Sequence, residues 1–330
     1  MDRIARADAD ERRLIFETAA ARLGITPAVI EKDFWVCYTL DHLFHRCSLS
    51  SVLTFKGGTS LSKAFHLIQR FSEDVDLILD WRAIGYGFDE PWEPRSNSAQ
   101  ERFKADAVSR TDGYLHEKFA PILAESLAES LGHEVSVRVG EEMETVWFDY
   151  PRTYDSPATL DSIKLEVGPM AAWSPSEEVV IEPYVAAVMR GNSASLSTSV
   201  RTVRPERTFW EKATILHQEA MRPEEKRMPR RYSRHYYDLY RLGNSPVLNA
   251  ALDNVTLLAR VVEFKEKFYR TPWARLSEAK PGSIRLVPPD YRLKELEADY
   301  RSMSPMLFGD YPALREIIRY LSGLEIKINA

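Results

Sequence analysis

Residues 56–80 read KGGTSLSKAFHLIQRFSEDVDLILD, and this stretch decides the fold. Two adjacent glycines, Gly57 and Gly58, and two small hydroxyl residues, Thr59 and Ser60, close an apolar run and open a segment with helical character. A glycine turn that leads into a helix offers backbone N–H groups to a phosphate. The first half of the stretch therefore predicts a phosphate-binding turn.

The second half carries a pair of acidic residues. Asp74-Val75-Asp76 comes sixteen residues after Gly58 and is followed by the apolar run 77–79. In a strand, residues two apart point to the same face, so the two carboxylates would project side by side. Carboxylates held that close repel each other unless a cation lies between them, and oxygen ligands of this kind suit Mg²⁺ together with substrate phosphates. The whole stretch thus predicts a site for a metal–nucleoside triphosphate.

Each half alone has an ordinary explanation. A Gly-Gly pair usually marks a turn, and an Asp-x-Asp usually marks a solvated strand end. The combination favours function, because an acidic pair inside an apolar strand costs stability unless something binds it. The stretch is not a P-loop: that motif needs a glycine before its Lys-[Ser/Thr] pair, whereas Ser62 precedes Lys63 and Ala64 follows it.

Composition limits the class of protein. The 330 residues, 44% hydrophobic and 28% charged, suffice for one large domain or two ordinary ones. A net charge of −5 argues against a protein that coats nucleic acid but leaves room for a local basic groove. Cys37 and Cys47 lack a paired framework and indicate reduced thiols of a cytoplasmic protein. We expect no secretory signal, no membrane span and no zinc site.

The order of elements predicts an α/β (α+β) fold with a mixed or antiparallel sheet rather than a doubly wound parallel one. On the second helix, Lys32 and Asp33 are expected on a solvated face. Residues 81–99 read as a long loop. The expected strands are 51–55, 75–80, 133–139, 144–149, 162–167 and 178–187, and the expected helices are 8–23, 27–46, 59–69, 99–131 with a break near Gly113, one from about 206, 235–243, 246–268, 290–301 and 311–323.

A third acidic candidate lies in the strand that contains Lys164-Leu165-Glu166. If this strand adjoins the Asp74/Asp76 strand, Glu166 completes a cluster of three carboxylates for two Mg²⁺ ions. The alternative is a strand whose exposed face simply alternates lysine and glutamate.

The helical part of the chain supplies a lysine and a basic, aromatic cluster. Lys212 lies on the helix that Arg204-Pro205 opens, and a lysine is a good point charge for a β- or γ-phosphate. The segment brings cations and aromatics together in Arg230, Arg231, Arg234, His235, Tyr236, Tyr237 and Asp238. That mixture suits a polyphosphate or an RNA end, where stacking and charge both contribute. The alternative is an amphipathic helix with a solvated arginine face.

These motifs resemble the AbiEii/AbiGii nucleotidyltransferases, toxins of type IV toxin–antitoxin systems that are related to the MenT toxins within the DNA polymerase β-like superfamily. The resemblance runs from about residue 27 to 245. It rests on G-T-S-L…R-F-S-E-D-V-D, on the K-x-[D/E] motif at Lys164 and Glu166, on Lys212 in PERTFWEK, and on Asp238 in RHYYDL.

The resemblance implies a nucleotidyltransferase domain with N-terminal helices over residues 1–200 and a helical domain over 201–330 that contributes to the active-site cleft. It also implies roles for individual residues. Asp74 and Asp76 would be catalytic and, with Glu166, bind Mg²⁺, while Lys212 and Asp238 would be essential to transfer. The residues implied in nucleotide binding are Lys56, Gly57, Gly58, Thr59, Ser60, Arg70, Ser72 and Lys164.

The reaction so implied is transfer of a nucleoside monophosphate from an NTP to a hydroxyl, with a tRNA 3′ end as the acceptor and a cognate antitoxin as a further partner. Two alternatives stay open on the sequence. In the first alternative, the acceptor is a protein or a small molecule. In the second, the chain is a non-catalytic NTP-binding regulator. The intact glycine turn and acidic pair count against the regulator.

Overall fold

The computed structural model describes residues 1–72, 74–155, 160–169, 175–189 and 196–330. Within these residues, one mixed sheet contains seven strands. The strands are β1 (Leu53–Lys56), β2 (Asp74–Leu79), β3 (Ser136–Val139), β4 (Thr145–Asp149), β5 (Ile163–Gly168), β6 (Ser176–Ile181) and β7 (Thr198–Val203). Their order is β3-β4-β5-β2-β1-β7-β6.

The acidic strand β2 lies near the middle of this sheet. It pairs antiparallel with β1 and parallel with β5, and β5 pairs antiparallel with β4. Val75 and Leu77 on β2 are buried together with Leu165 on β5, while Asp74 and Asp76 on β2 and Lys164 and Glu166 on β5 stay partly exposed. The sheet thus has an apolar face toward the core and a polar face, and the predicted α/β fold with a mixed sheet is confirmed.

Twelve α-helices accompany the sheet in the described part of the chain. They are α1 (Asp2–Ala5), α2 (Ala9–Leu23), α3 (Pro27–Asp41), α4 (Gly57–Lys63), α5 (Asn97–Tyr114), α6 (Ala120–Leu131), α7 (Pro205–Ala220), α8 (Ser233–Gly243), α9 (Val247–Asp253), α10 (Val255–Phe268), α11 (Asp290–Ser302) and α12 (Leu314–Asn329). The break expected near Gly113 is a π-helical turn, Leu115–Phe119, between α5 and α6.

The chain forms two compact units. Counting described residues alone, the sheet unit comprises Met1–Ala64, 72–169 and 176–202, and the helical unit comprises Phe65–Phe71, Pro175 and Val203–Ala330. The domain division near residue 200 that the sequence implies stays a prediction. One short segment, Phe65–Phe71, belongs to the helical unit although it precedes β2 in the chain.

This segment explains why α4 is shorter than expected. The helix predicted over 59–69 ends at Lys63, and His66 just after it has φ 53°, a left-handed conformation that does not continue a helix. The amide of Phe71 donates to the carbonyl of Met306 at 2.8 Å, and the amide of Phe308 donates to the carbonyl of Gln69 at 2.8 Å. Backbone groups used in this way cannot also continue a helix.

The expectation that Lys32 and Asp33 are solvated is wrong, since both side chains are buried in the sheet unit. The ammonium of Lys32 donates to the carbonyls of Leu160 and Ser162. Asp33 forms an ion pair with Lys63 at 2.6 Å. Buried charges persist only when they are partnered, and here the partners lie on loops and on α4, which helical periodicity does not reveal. The Asp33–Lys63 pair anchors the end of α4 to α3.

Two further expectations need correction. The helix predicted over 246–268 is divided into α9 and α10 at Asn254, whose backbone (φ −123°, ψ 61°) is not helical. Strand β7 was not predicted, although Thr198, Val200 and Thr202 alternate inward along it. The pairing of Phe55 with Thr202 makes β7 the parallel neighbour of β1.

Candidate active site

The register of the sheet brings three predicted site residues into one row. Lys56 on β1 pairs with Asp76 on β2, and Asp76 pairs with Glu166 on β5. Residues paired across neighbouring strands share a face, with Cβ atoms about 4.5–5.5 Å apart. All three side chains are partly exposed on the polar face. The expected adjacency of the β2 and β5 strands is therefore observed.

A second row lies beside the first. Asp74 pairs with Lys164, and the Lys164 ammonium lies 2.9 Å from a carboxylate oxygen of Glu166 and 3.2 Å from one of Glu142. Burial alone would lower the pKa of Lys164, but the carboxylates around it, Asp74 among them, outweigh burial and raise it. Lys164 is thus a firmly charged cation beside both acids of the Asp-x-Asp pair.

The glycine turn touches the acidic pair directly. Gly57 begins α4 with φ +83°, a conformation that a residue with a Cβ rarely adopts. A Cβ built on Gly57 would lie 2.6 Å from Cγ and 2.9 Å from Cβ of Asp76, and closer still to Oδ2. Only glycine permits this approach, so the carboxylate of Asp76 rests against the backbone of the turn.

The two hydroxyl residues of the turn are engaged within it. Thr59 donates from Oγ1 to the carbonyl of Asp74 at 2.5 Å and to that of Ser72 at 3.3 Å. Ser60 donates to the carbonyl of Gly57 at 2.9 Å. Both side chains are buried. Thr59 thereby ties the start of β2 to α4, which gives a physical reason for the fixed distance between the glycine turn and the acidic pair.

The described residues contain no group of three or more His, Cys, Asp or Glu side chains arranged to hold a metal ion. Glu166, predicted as the third carboxylate, pairs with Lys164 although the register sets it beside Asp76. The donor chemistry nevertheless fits Mg²⁺. Asp74 and Asp76 are carboxylates on one face of a strand and retain access to solvent, and Mg²⁺ is usually held by one or two carboxylates plus water and phosphate oxygens.

One acidic residue at this face escaped sequence analysis. Glu144 precedes β4 with φ 62°, and its carboxylate packs so closely on Gly168 that a Cβ there would lie 2.6 Å from Cδ of Glu144. Its Oε1 is buried with no hydrogen-bond partner. Burial raises the pKa of Glu144; the Lys56 cation opposes this shift, and the Glu166 carboxylate adds to it. A strained backbone and an unpaired polar atom often mark functional positions.

The helical unit contains a second charged group, which is buried. Asp238 on α8 receives two hydrogen bonds from Arg70, from Nε at 2.7 Å and from Nη2 at 3.0 Å. Lys212 on α7 adds an ammonium 3.0 Å from Oδ2. The Asp238 side chain is 0% exposed and that of Arg70 only 4%. Burial alone would raise the pKa of Asp238, but the two cations outweigh it and hold the pKa well below its usual range.

His235 completes this group. Its ring is buried, and burial together with the neighbouring Lys212 cation holds its pKa well below the usual value, so the imidazole is neutral. A lysine ammonium has only donors, so Lys212 donates to Nδ1 of His235, 3.2 Å away. Burial also lowers the pKa of Lys212, although Asp238 opposes the shift. Asp238 and His235 therefore fix the direction of the Lys212 ammonium.

The structure divides the predicted basic, aromatic cluster into two parts. Tyr236 and Tyr237 are buried in the helical core, so they are not available to stack on bases. Arg230 and Arg231 are exposed, and Arg234 is partly exposed. The predicted role of Tyr236 and Tyr237 in stacking is wrong, because the apolar side of α8 includes both rings. Arg70, which the resemblance implied in nucleotide binding, pairs with Asp238, 168 positions away, and this pairing was not foreseen.

Comparison with known proteins decides the family. The family model described as nucleotidyl transferase AbiEii toxin, type IV toxin–antitoxin system, matches residues 39–320. The chain belongs to the AbiEii family. The resemblance predicted from the motifs is thereby confirmed, and the protein is a nucleotidyltransferase toxin of a type IV toxin–antitoxin system. This membership implies an NTP substrate and an antitoxin partner.

Two other comparisons are weaker. Among solved structures, the chain is similar to MenT4, a nucleotidyltransferase toxin from Mycobacterium tuberculosis H37Rv. The two share 14% identity with a TM-score of 0.42, over 97% of this chain and 99% of that one. No curated protein matches the chain significantly. Among the described residues, no helix has the length and apolar character that a membrane crossing requires.

Proposed function

We propose that this AbiEii protein transfers a nucleoside monophosphate from an NTP to the 3′-terminal hydroxyl of an RNA, most specifically a tRNA, with Mg²⁺ held by Asp74 and Asp76. The observation that carries the proposal is the contact of Asp76 with Gly57. It brings a solvent-accessible carboxylate and a glycine turn together, as binding of a metal–triphosphate requires. Cytoplasmic location and a role in phage defence belong to the same proposal.

The sheet unit would bind the NTP. In the proposed arrangement, backbone N–H groups of Gly57 and Gly58 meet the phosphates, and Lys56 and Lys164 neutralise their charge. The hydroxyls of Thr59 and Ser60 already donate to carbonyls in and beside the turn. We therefore assign their side chains to shaping the turn, and their backbone N–H groups to binding the triphosphate. Ser72 contributes the carbonyl that receives one of these hydrogen bonds.

Transfer breaks the bond between the α- and β-phosphates of the NTP, forms a bond from the acceptor oxygen to the α-phosphorus, and releases pyrophosphate. The acceptor hydroxyl loses its proton to solvent water as the new bond forms. Such in-line chemistry depends mainly on positioning and on neutralising charge. Mg²⁺, when bound by Asp74 and Asp76 with Glu166 beside them, would activate the hydroxyl and neutralise charge on the triphosphate.

The helical unit would supply a phosphate-binding lysine. Lys212 has three N–H donors, and Asp238 and His235 occupy two, which leaves one for a substrate phosphate. Asp238 itself is fully buried with both oxygens engaged, so we assign it a positioning role rather than the catalytic role that its motif implied. Arg70 holds Asp238 in place.

RNA is favoured as the acceptor by the exposed arginines at 230 and 231, which a small-molecule acceptor would not need. The decisive experiment incubates the purified protein with each of the four α-labelled NTPs, Mg²⁺ and either total RNA or a protein lysate stripped of RNA. We expect label on RNA of tRNA size, on the 3′ end, and none with EDTA. Label on protein in the stripped lysate would instead establish the alternative acceptor.

A further inference from the structure

A short basic segment connects α7 to α8 in the helical unit. Residues 226–234 read KRMPRRYSR and contain five cations and no acid, in a chain whose net charge is −5. We call this segment the arginine strap. Basic segments are often simply solvated. A binding role requires a backbone held in place and cations that are not neutralised by neighbouring acids.

The backbone of the strap is held in place by acids of α11. The amides of Arg231 and Ser233 both donate to the carboxylate of Asp299, at 2.7 and 2.8 Å. The amide of Met228 donates to Glu295 at 3.1 Å. Arg231 has φ 61°, a left-handed conformation that costs a residue with a side chain about 1 kcal/mol or more. The shared carboxylate of Asp299 holds the chain in this shape.

Glu295 and Asp299 thus bind backbone amides of the strap and none of its arginine side chains. Arg227, Arg230 and Arg231 are exposed, and none of them forms an ion pair with a carboxylate in the described part of the chain. By contrast, Arg222 just before the strap pairs with Glu219, and Arg292 pairs with Glu295. A fixed backbone that presents unpaired guanidinium groups is suited to a polyanion.

The strap also continues toward Lys212. Its last cation, Arg234, directly precedes His235, whose Nδ1 lies 3.2 Å from the Lys212 ammonium. A chain of phosphates lying along the strap would therefore lead toward the lysine to which we assign a substrate phosphate. Tyr236 and Tyr237, which follow the strap, are buried, and Tyr232 within it packs edge-on against His235 with ring centroids 4.8 Å apart, so the strap offers mainly charge.

We propose that the arginine strap binds the sugar–phosphate backbone of the RNA acceptor, upstream of the 3′ end that is modified. This inference rests on the proposed function and names the surface that recognises its acceptor. An RNA chain fits better than a single nucleotide, because exposed cations bind weakly one at a time but add up along a polyanion by releasing counterions. Binding through the strap is accordingly sensitive to salt and indifferent to sequence.

The test compares two triple variants of the full-length protein. The strap variant replaces Arg227, Arg230 and Arg231 with glutamine, which removes the positive charge but keeps a polar, hydrogen-bonding side chain. The control variant makes the same change at three other exposed arginines of the helical unit that form no ion pair within the described residues, Arg260, Arg315 and Arg319. A double variant, Arg227→Gln with Arg230→Gln, avoids the strained position 231 if the triple variant fails to fold.

Binding of a 5′-fluorescent tRNA transcript is measured by anisotropy from 50 to 200 mM salt. Each lost phosphate contact reduces the slope of log K against log salt by about 0.7–0.9, so the strap variant should lose about 2 units of slope and the control should keep the wild-type value. In the transfer assay, the KM for tRNA should rise about tenfold or more, while the KM for NTP is unchanged.

An unchanged slope in the strap variant would overturn the inference and leave the proposed transfer reaction intact. If the wild-type protein labels no RNA, the proposed function fails, and the anisotropy experiment still decides whether the strap binds RNA. Loss of antitoxin binding without loss of tRNA binding would assign the strap to a protein partner and also overturn the inference.

Discussion

The sheet face and the buried cluster of Asp238, Arg70, Lys212 and His235 use the same kinds of side chain in opposite ways. On the sheet, Asp74 and Asp76 are set by strand register and keep access to solvent. In the helical unit, Asp238 is removed from solvent and surrounded by Arg70 and Lys212. Half-exposed charges can be removed at little cost in stability, whereas a buried pair leaves an uncompensated charge behind. Mutations should therefore separate chemistry in one unit from stability in the other.

The largest effect should come from the sheet. Asp76→Asn keeps the size of the side chain but removes the charge that we propose binds Mg²⁺. We expect transfer to fall by about 10³-fold, since a bound metal contributes several kcal/mol of charge stabilisation to the transition state. Circular dichroism and thermal unfolding should stay close to wild type. The control Asp112→Asn lies on α5, exposed, and should transfer normally; equal activity of the two variants would contradict the role of Asp76.

The second effect concerns stability in the helical unit. Asp238→Asn leaves Arg70 and Lys212 buried without their anion, which typically costs about 3–5 kcal/mol in the free energy of unfolding. Urea unfolding of this variant and of Asp253→Asn, an exposed acid in the same unit, measures the difference. A loss no larger than that of the control would mean that the buried cluster does not stabilise the fold.

The same cluster predicts how wild-type stability depends on pH. The pKa of Asp238 is lower in the folded protein than in the unfolded chain, so its contribution is present at neutral pH and above its unfolded value of about 4. That contribution is lost as the pH falls below about 4. The melting temperature of Asp238→Asn should consequently fall less between pH 5 and pH 3 than that of the wild type.

The comparison also explains what could be read from the sequence. The spacing between Gly58 and Asp74 predicted the sheet site, because turn, strand alternation and acid–acid repulsion are local effects. The pairing of Asp238 with Arg70 joins positions 168 apart, and no periodicity carries that information. Tyr237 was misread for the same reason: its burial depends on the surrounding helices and not on its basic neighbours.

Gly57→Ala separates the strain of the turn from its contact with Asp76. The matched control is Gly24→Ala, since Gly24 has a similar φ of +69° but nothing within 4 Å of an added Cβ. Strain alone should cost both variants about 1 kcal/mol in unfolding free energy. In Gly57→Ala the added carbon also displaces the carboxylate of Asp76, so transfer should fall at least tenfold in this variant only. Equal transfer by both variants would show that the contact is unimportant.

The smallest effect concerns Glu144, the half-buried acid that the sequence did not reveal. Its pKa is raised in the folded protein by burial and by Glu166, with Lys56 opposing, so ionisation costs more in the fold than in the unfolded chain. Stability should therefore fall as the pH rises from about 4 through the raised pKa. Glu144→Gln removes that loss, and we expect a melting temperature about 1–3 °C above wild type at pH 7.

The difference in melting temperature between Glu144→Gln and the wild type should shrink at pH 4, where the wild-type carboxyl is protonated and both side chains are uncharged. The control Glu141→Gln, at an exposed neighbour in the same turn, should leave the melting temperature at pH 7 close to that of the wild type. A lower melting temperature for Glu144→Gln at pH 7 would mean that attraction to Lys56 outweighs burial. Glu144 would then be a stabilising ion-pair partner of Lys56. The sheet face would in that case depend on paired charges for stability, as the buried cluster does.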